Sequence, residues 1–408
     1  MKRRCKYLLE GYLSIAAVAS AIGVAPRALA DDWRFVRRDV SSSGVAESPL
    51  PKKLDVLWTY RAEGDAGFEA TAVVDSQIIY VGDNAGTFHA VLADDGRGIW
   101  KQTFPDTAFL AGAAWVDGTL YVGDANGMVS AISIEDGHEI WHTEGDGEVY
   151  AGPTVRGDDL LVTCEAGSLT CYDTAEGKKR WDFKIEAPLR CTPTIAEGHI
   201  LLAGCDSQLH FIDAATGKET NKVAIDAPTG ATAAVGLDRV YFGTEGGTFY
   251  AIDMSSGGAA PKIRWTYRDP ERGQPIRSAA AVTGRLVTFG SQGKAIYGLD
   301  PGTGALKWKV PTRSRVDSSP VIAGNQVVAA TERGVLYVLD AATGHVDWQF
   351  DAGGGFTASP VVVDGQIIIG NTDGTLYCFG APKEKEGITT ENTESTAGTK
   401  VKQMQNAK

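Results

Sequence analysis

The segment His138-Glu139-Ile140-Trp141-His142 reproduces the H-E-x-x-H spacing with which a helix offers two imidazoles to zinc and a glutamate to the metal-bound water. That chemistry needs the helix, because only there do residues four apart share a face. Here the five residues fall where a strand begins. At about 3.3 Å per residue the imidazoles start about 13 Å apart, so no metal site is expected. The acids Asp83, Asp124, Glu165, Asp206, Glu245 and Asp373 would suit calcium if they converged. Each instead falls in a hairpin turn, where Gly, Asn and Asp serve the backbone. Cys164, Cys171, Cys191, Cys205 and Cys378 follow the first 30 residues. In an oxidising compartment Cys164 can pair with Cys171 and Cys191 with Cys205; buried free thiols are the other reading, since spacing alone does not set pairing. There is no G-x-S-x-G elbow, phosphate loop or C-x-x-C-H haem site, and no catalytic residue is assigned.

A repeat must position these residues. Tryptophan recurs at Trp58, Trp100, Trp141, Trp181, Trp265, Trp308 and Trp348, with gaps of 42, 41, 40, 84, 43 and 40 residues. The long gap is two periods, with Asn221 in the skipped place. Each unit reads as four short strands with period-2 patterning and glycine-bearing turns. In 317–348 the first three strands fall at 318–322, 326–330 and 335–339, and the fourth bears Trp348. The phase is informative. A fourth-type strand at 54–60 precedes every first-type strand, and the last three strands, 357–379, have no fourth strand after them. The expected fold is therefore all-β: an eight-bladed β-propeller of four-stranded antiparallel blades over 54–380, its last blade closed by the N-terminal strand.

First strands line a propeller's axis, and their starting slot reads Glu69, Leu110, Tyr150, Arg190, Gly230, Arg277, Asp317, Thr357. A repeat keeps what its fold needs, so a slot whose charge changes from blade to blade is free for function. Glu69, Tyr150, Arg190, Arg277, Asp317 and Thr357 are the candidate binding residues. Arg190 and Arg277 suit an anionic ligand or an acidic partner loop; the alternative is ion pairing, Arg277 with Asp317 and Arg190 with a more distant acid. The loop 268–275, with Arg268, Asp269, Glu271 and Arg272, is a second candidate contact surface.

Asp173…Gly177…Trp181, Asp300…Gly304…Trp308 and Asp340…Gly344…Trp348 resemble the blade-end motif of the PQQ-repeat family, with departures at Asn221, Leu92 and Ser133. The resemblance covers nearly all of 54–380. It implies that each tryptophan docks on a neighbouring blade and that the junction at Asn221 is weaker. Within the family the chain is similar to the BamB component of outer-membrane β-barrel assembly, which implies a protein-binding scaffold without catalysis. It also resembles secreted planctomycete-type members, whose leader is similar to DWRFVR at 32–37 followed by GVA at 44–46. The leader, 31–53, is expected to lie against the propeller outside the sheet. The quinoprotein dehydrogenases share the repeat. They imply the alternative of a ligand-binding propeller holding pyrroloquinoline quinone and Ca²⁺, but they are longer, and many carry a Cys-Cys pair that is absent here. No cofactor is expected.

The chain's ends and charge set its surroundings. Lys2, Arg3, Arg4 and Lys6 precede a small-residue apolar stretch and an A-x-A-like site at Ala28-Leu29-Ala30, which reads as an export signal at 1–30. The polar segment 381–408 holds too few large apolar residues to fold and is expected to be disordered. With 51 acidic against 39 basic residues the chain carries −12, which repels phosphate backbones and argues against nucleic-acid binding. The expected product is a monomeric periplasmic or secreted scaffold, without a transmembrane segment, that binds other envelope or secreted proteins.

Overall fold

The computed structural model describes residues 32–254 and 260–382. The expected export signal lies outside them, as does the polar tail apart from Ala381 and Pro382. Eight four-stranded antiparallel sheets follow one another: blade 1 at 73–103, blade 2 at 114–144, blade 3 at 154–184, blade 4 at 194–224, blade 5 at 234–268, blade 6 at 281–311, blade 7 at 321–351, and blade 8 from 361–380 with Asp55–Arg61 as its outer strand. That strand pairs antiparallel with Thr375–Gly380, Trp58 facing Cys378, so the two ends of the repeat close the ring. Glu63–Asp65 adds one 3-10 turn. No helix among the described residues is long and apolar enough to cross a membrane.

Burial explains the strand sequences. The second strand of blade 1, Ile78–Gly82, is buried from its second residue on, because each sheet is covered on both faces by neighbouring blades. Fourth strands such as Glu139–Glu144 alternate along the rim, with one face in water. First strands pair over only two or three residues, Val321–Ala323 in blade 7. The chain from Asp317 to Pro320 runs to the axis unpaired, and Pro320 has no N–H to give a ladder.

Every blade carries a register shift just before its tryptophan position, between Glu139 and Trp141 in blade 2 and at the matching place elsewhere. The extra residue of such a bulge turns outward and re-aims its neighbour. The re-aimed indoles dock on the next blade: Trp58, Trp100, Trp141, Trp265 and Trp308 donate Nε1–H to the carbonyls of Ala93, Ile134, Thr174, Pro301 and Ala341 at 2.7 to 3.1 Å. The ring faces lie against the turn glycines, as Trp181 does on Gly217. Trp348 packs instead on Phe350 and on Phe379 of blade 8, where the two ends of the repeat meet in place of the corresponding turn. Asn221 stands opposite Phe211 within blade 4.

The leader does not lie outside the sheets. It runs through the axis, along the end of the first strands farther from the varied slot. Trp33 exchanges two 2.9 Å backbone hydrogen bonds with Val74 of blade 1. The carbonyls of Arg34, Val40, Ser41, Ser43 and Gly44 then accept N–H groups from Trp115, Ile195, Val235, Val282 and Ile322, the same strand position in blades 2, 4, 5, 6 and 7. Val45–Ala46 finally joins blade 7 as a parallel inner strand. The physical reason is unpaired backbone: the inner edges of the sheets leave N–H groups facing the axis, and an extended segment satisfies them in turn.

Candidate functional site

The axis is a funnel with a floor. Val36 projects between blades 2 and 3, where Gly112 and Gly152 make room; a Cβ at Gly152 would come within 2.2 Å of Val36 Cγ2. Arg37 is only 1% exposed and gives its guanidinium to main-chain carbonyls, to Ala280 at 3.0 Å, Pro320 at 2.6 Å and Ser319 at 3.2 Å. Burial pushes its pKa down to about 10 despite nearby Asp39. Gly44 lets the chain pass, since a Cβ there would sit 2.1 Å from Arg37 Nη2. Reading the varied slot alone missed these floor residues. A signal was present: Gly112 and Gly152 stand where blades 1, 4, 5, 7 and 8 place Thr71, Thr192, Thr232, Ser319 and Ser359.

Above the floor those hydroxyls join the blades. Thr71, Thr232, Ser319 and Ser359 accept the N–H groups of Ser359, Thr192, Ala279 and Ser319 at 2.9 to 3.1 Å. The slot residues form the mouth. Tyr150 is 42% exposed, and Arg190 and Thr357 are also exposed. Both slot arginines are paired, but not as expected. Arg190 Nε and Nη2 donate to Glu165 at 2.5 and 2.9 Å, and Arg277 Nε and Nη2 to Glu245 at 2.8 and 3.2 Å. These hydrogen bonds raise both guanidinium pKa values. The reason is one of phase: the start of each first strand sits beside the hairpin of the preceding blade. Asp317 obeys the same rule, accepting from Gln292 at 3.1 Å, and burial raises its carboxyl above the usual range. Glu69 accepts from Asn84. Both arginine side chains remain more than half exposed, at 57% and 52%, so the pairs are open to a partner.

The acidic hairpin residues divide accordingly. Asp83 accepts the N–H groups of Ala85 and Thr87, and Asp124 those of Asn126 and Met128, so both close turns. Glu165 and Glu245 serve the arginines instead. Asp83 also receives His89 Nε2 at 2.9 Å, and Tyr60 Oη lies 3.0 Å from His89 Nδ1. This Asp-His-hydroxyl line is part of the packing, and burial raises the Tyr60 pKa, the opposite of an activated nucleophile.

His138 and His142 take separate carboxylates, Asp136 and Glu139, each at 2.6 Å, from a segment that is a strand over Glu139–Glu144. Neither disulfide is formed: Cys164, Cys171, Cys191 and Cys205 all carry free thiols. Register explains one case: Cys171 faces Leu161, while Cys164 bonds backbone to backbone with Ser168. Cys205 Sγ donates to the Thr229 carbonyl, 3.5 Å away. Burial pushes the Cys171 and Cys191 thiols up to about 12, so they behave as apolar packing groups.

In loop 268–275 Asp269 is a keystone rather than a contact residue. It is 7% exposed and accepts from Tyr297 Oη at 2.5 Å, from Lys309 Nζ at 2.7 Å, and from the N–H groups of Glu271 and Arg272. Burial alone would raise its pKa; these donors outweigh it and hold the carboxyl well below the usual range. A depressed folded pKa gives stability that is present above the unfolded value of about 4 and lost as pH falls. Asp269→Asn is therefore expected to cost about 3 kcal/mol at pH 7. The gap from wild type, read by denaturant melts, should narrow from pH 5 to pH 2; an equal gap at both would remove the linkage. Arg268, Glu271 and Arg272 are exposed around this anchor.

The PQQ_2 family model, described as outer membrane protein assembly factor BamB, matches residues 53–151, 125–259 and 165–387. No curated protein matches the chain. Among solved structures, BamB from Moraxella catarrhalis is 16% identical, with a TM-score of 0.68 over 80% of this chain and 98% of that one. The quinohemoprotein alcohol dehydrogenase from Comamonas testosteroni is 17% identical, with a TM-score of 0.71 over 87% and 82%. A europium-containing methanol dehydrogenase is 13% identical, with a TM-score of 0.71 over 86% and 98%. At such identities the structures share the fold alone, and the scaffold and the dehydrogenases stand equally near. The matched repeats span nearly the whole propeller, and this chain belongs to the BamB-like PQQ-repeat family.

Proposed function

We propose that this chain is a non-catalytic, extracytoplasmic scaffold that binds other envelope or secreted proteins through the axial mouth, in outer-membrane or envelope protein assembly. In this reading it is exported, cleaved near Ala30 and monomeric. The carrying observation is the floor: Val36 and Arg37 fill the axis, which leaves the mouth as a shallow recognition surface. Tyr and Arg are enriched among the residues that dominate protein interfaces, and Tyr150, Arg190 and Arg277 stand exposed together there.

A quinone cofactor with Ca²⁺ would need room on the axis and converging oxygen ligands. Val36 and Arg37 lie across the axis below the mouth, and no three His, Cys, Asp or Glu among the described residues are grouped to hold a metal. Both features favour the reading without that group.

A photo-crosslinking residue at position 150, in the mature chain in its producing cells, is expected to capture discrete protein adducts. Arg190→Ala with Arg277→Ala should reduce them by about tenfold, the loss of 1.4 kcal/mol. The same residue at Lys222, on the outer strand of blade 4, should capture none of them. Adducts at 222 but not at 150, or adducts indifferent to the double substitution, would overturn the mouth as the binding surface. A saturable rise in melting temperature with pyrroloquinoline quinone and Ca²⁺ would replace the scaffold with the ligand-binding alternative.

A further inference from the structure

The face opposite the mouth carries a second feature, independent of the reading above. Between successive blades on that face lie two first-to-second-strand turns and, except after blade 4 with its Asn221, the rim tryptophan of the earlier blade. Between blades 7 and 8 this place is filled by the chain itself. Ser48 Oγ accepts the N–H of Gly365, and a Cβ on Gly324 would lie 3.1 Å from Pro49. Pro49 and Pro51 also cover Gly365, and Leu50 is buried in the core cluster of blades 7, 8 and 1. The occupant is thus a Ser-Pro-Leu-Pro segment that belongs to no strand or helix.

Between blades 2 and 3 the same place is open. The turn glycines Gly118 and Gly157 have no neighbouring atom where a Cβ would be, unlike Gly324 and Gly365. A hollow of about 270 Å³ lies there, lined by Val116, Tyr121, Ile140, Trp141 and Val155 with Asp117 and Asp158. The two aromatic rings are 6.0 Å apart at 42°, and both of their polar tips are already turned to the Thr174 carbonyl. Ile140 is the bulge residue of its blade and is 48% exposed. Five other blades place Arg180, Thr220, Arg264, Lys307 and Asp347 there, as an outward-turned residue requires. Blades 8 and 1 hold Leu57 and Ile99. Leu57 packs against the core where the ring closes, and Ile99 is less exposed than Ile140, at 40%. An isoleucine half in water beside an open aromatic hollow is not accounted for by the fold.

We propose that the hollow between blades 2 and 3 binds an extended, proline-bearing peptide segment of a partner protein, in the way that Ser48 to Pro51 seat between blades 7 and 8. Such a segment is already restricted to the polyproline conformation, so it loses little entropy on docking, and aromatic-lined grooves are its usual receptors.

The test titrates the mature chain, residues 31–408, with the synthetic peptide ESPLPKK, the chain's own segment 47–53, and follows tryptophan fluorescence and calorimetry. Saturable binding below about 1 mM is expected. Ile140→Asp, which copies Asp347 of blade 7 and is therefore compatible with the fold, should weaken it at least tenfold. Replacing both prolines of the peptide by alanine should do the same. Circular dichroism melts verify that the variant is folded. No binding to wild type, equal binding to Ile140→Asp, or equal binding of the alanine peptide would overturn the proposal. None of these outcomes bears on the mouth, whose adducts are captured at position 150.

Discussion

Gly152→Ala is expected to destabilise the propeller by about 2–3 kcal/mol, although alanine is ordinarily the better residue in folded chains. Its Cβ would lie 2.2 Å from Val36 Cγ2 and 2.9 Å from the Gly112 carbonyl, so the leader must shift or the inner ring must open. The backbone there is not left-handed, so no conformational strain contributes and the effect reports packing alone. Val36→Gly removes the opposing methyls and costs the lost burial, about 2 kcal/mol. The two substitutions together should be milder than their sum by at least about 1 kcal/mol, because losing the valine relieves the crowding at position 152 and the alanine fills part of the space the valine leaves. Denaturant melts of the four proteins measure the coupling. Additivity to within about 0.5 kcal/mol would mean that the leader does not occupy the axis in solution.

The blade junctions carry the second large effect, and two glycines separate its causes. Gly217 and Gly198 both have a left-handed backbone, φ +68° and +78°. Alanine at either position bears that strain, about 1 kcal/mol. Gly198 faces open space, whereas a Cβ on Gly217 would lie 2.4 Å from Trp181 Cε3. Gly198→Ala should therefore cost about 1 kcal/mol and Gly217→Ala about 3 kcal/mol, the excess being the crowded indole. In a Trp181→Leu background the excess should vanish while the strain remains. If the two glycine variants melt alike, the glycine of the repeat is there for its backbone only and the tryptophan docks without it.

These expectations show where sequence reasoning was strong. The period near 40 residues, the order of strand types and the phase at the two ends required a closed ring of eight blades. They did so because a buried two-faced strand and a half-exposed rim strand need different residues, and those differences recur along the chain. The H-E-x-x-H segment was legible as strand for the same reason. The leader was not legible. Trp33, Val36 and Arg37 read as apolar and basic residues ahead of a repeat, and nothing local says that an unpaired ring of inner N–H groups waits for them.

The amino-acid sequence by itself determined the blades, the turn glycines and the varied charges of the mouth, because each follows from contacts within one repeat or between one repeat and the next. The tertiary structure alone decided which acid meets which arginine, whether cysteines approach one another, and where the leader goes. Arg190 met Glu165 rather than a more distant acid because the hairpin of one blade abuts the strand start of the next. Arg37 reached the carbonyls of blades 6 and 7, more than 240 residues away, because ring closure brings every inner strand to one axis. Partners set by the angle between blades leave no trace in local spacing.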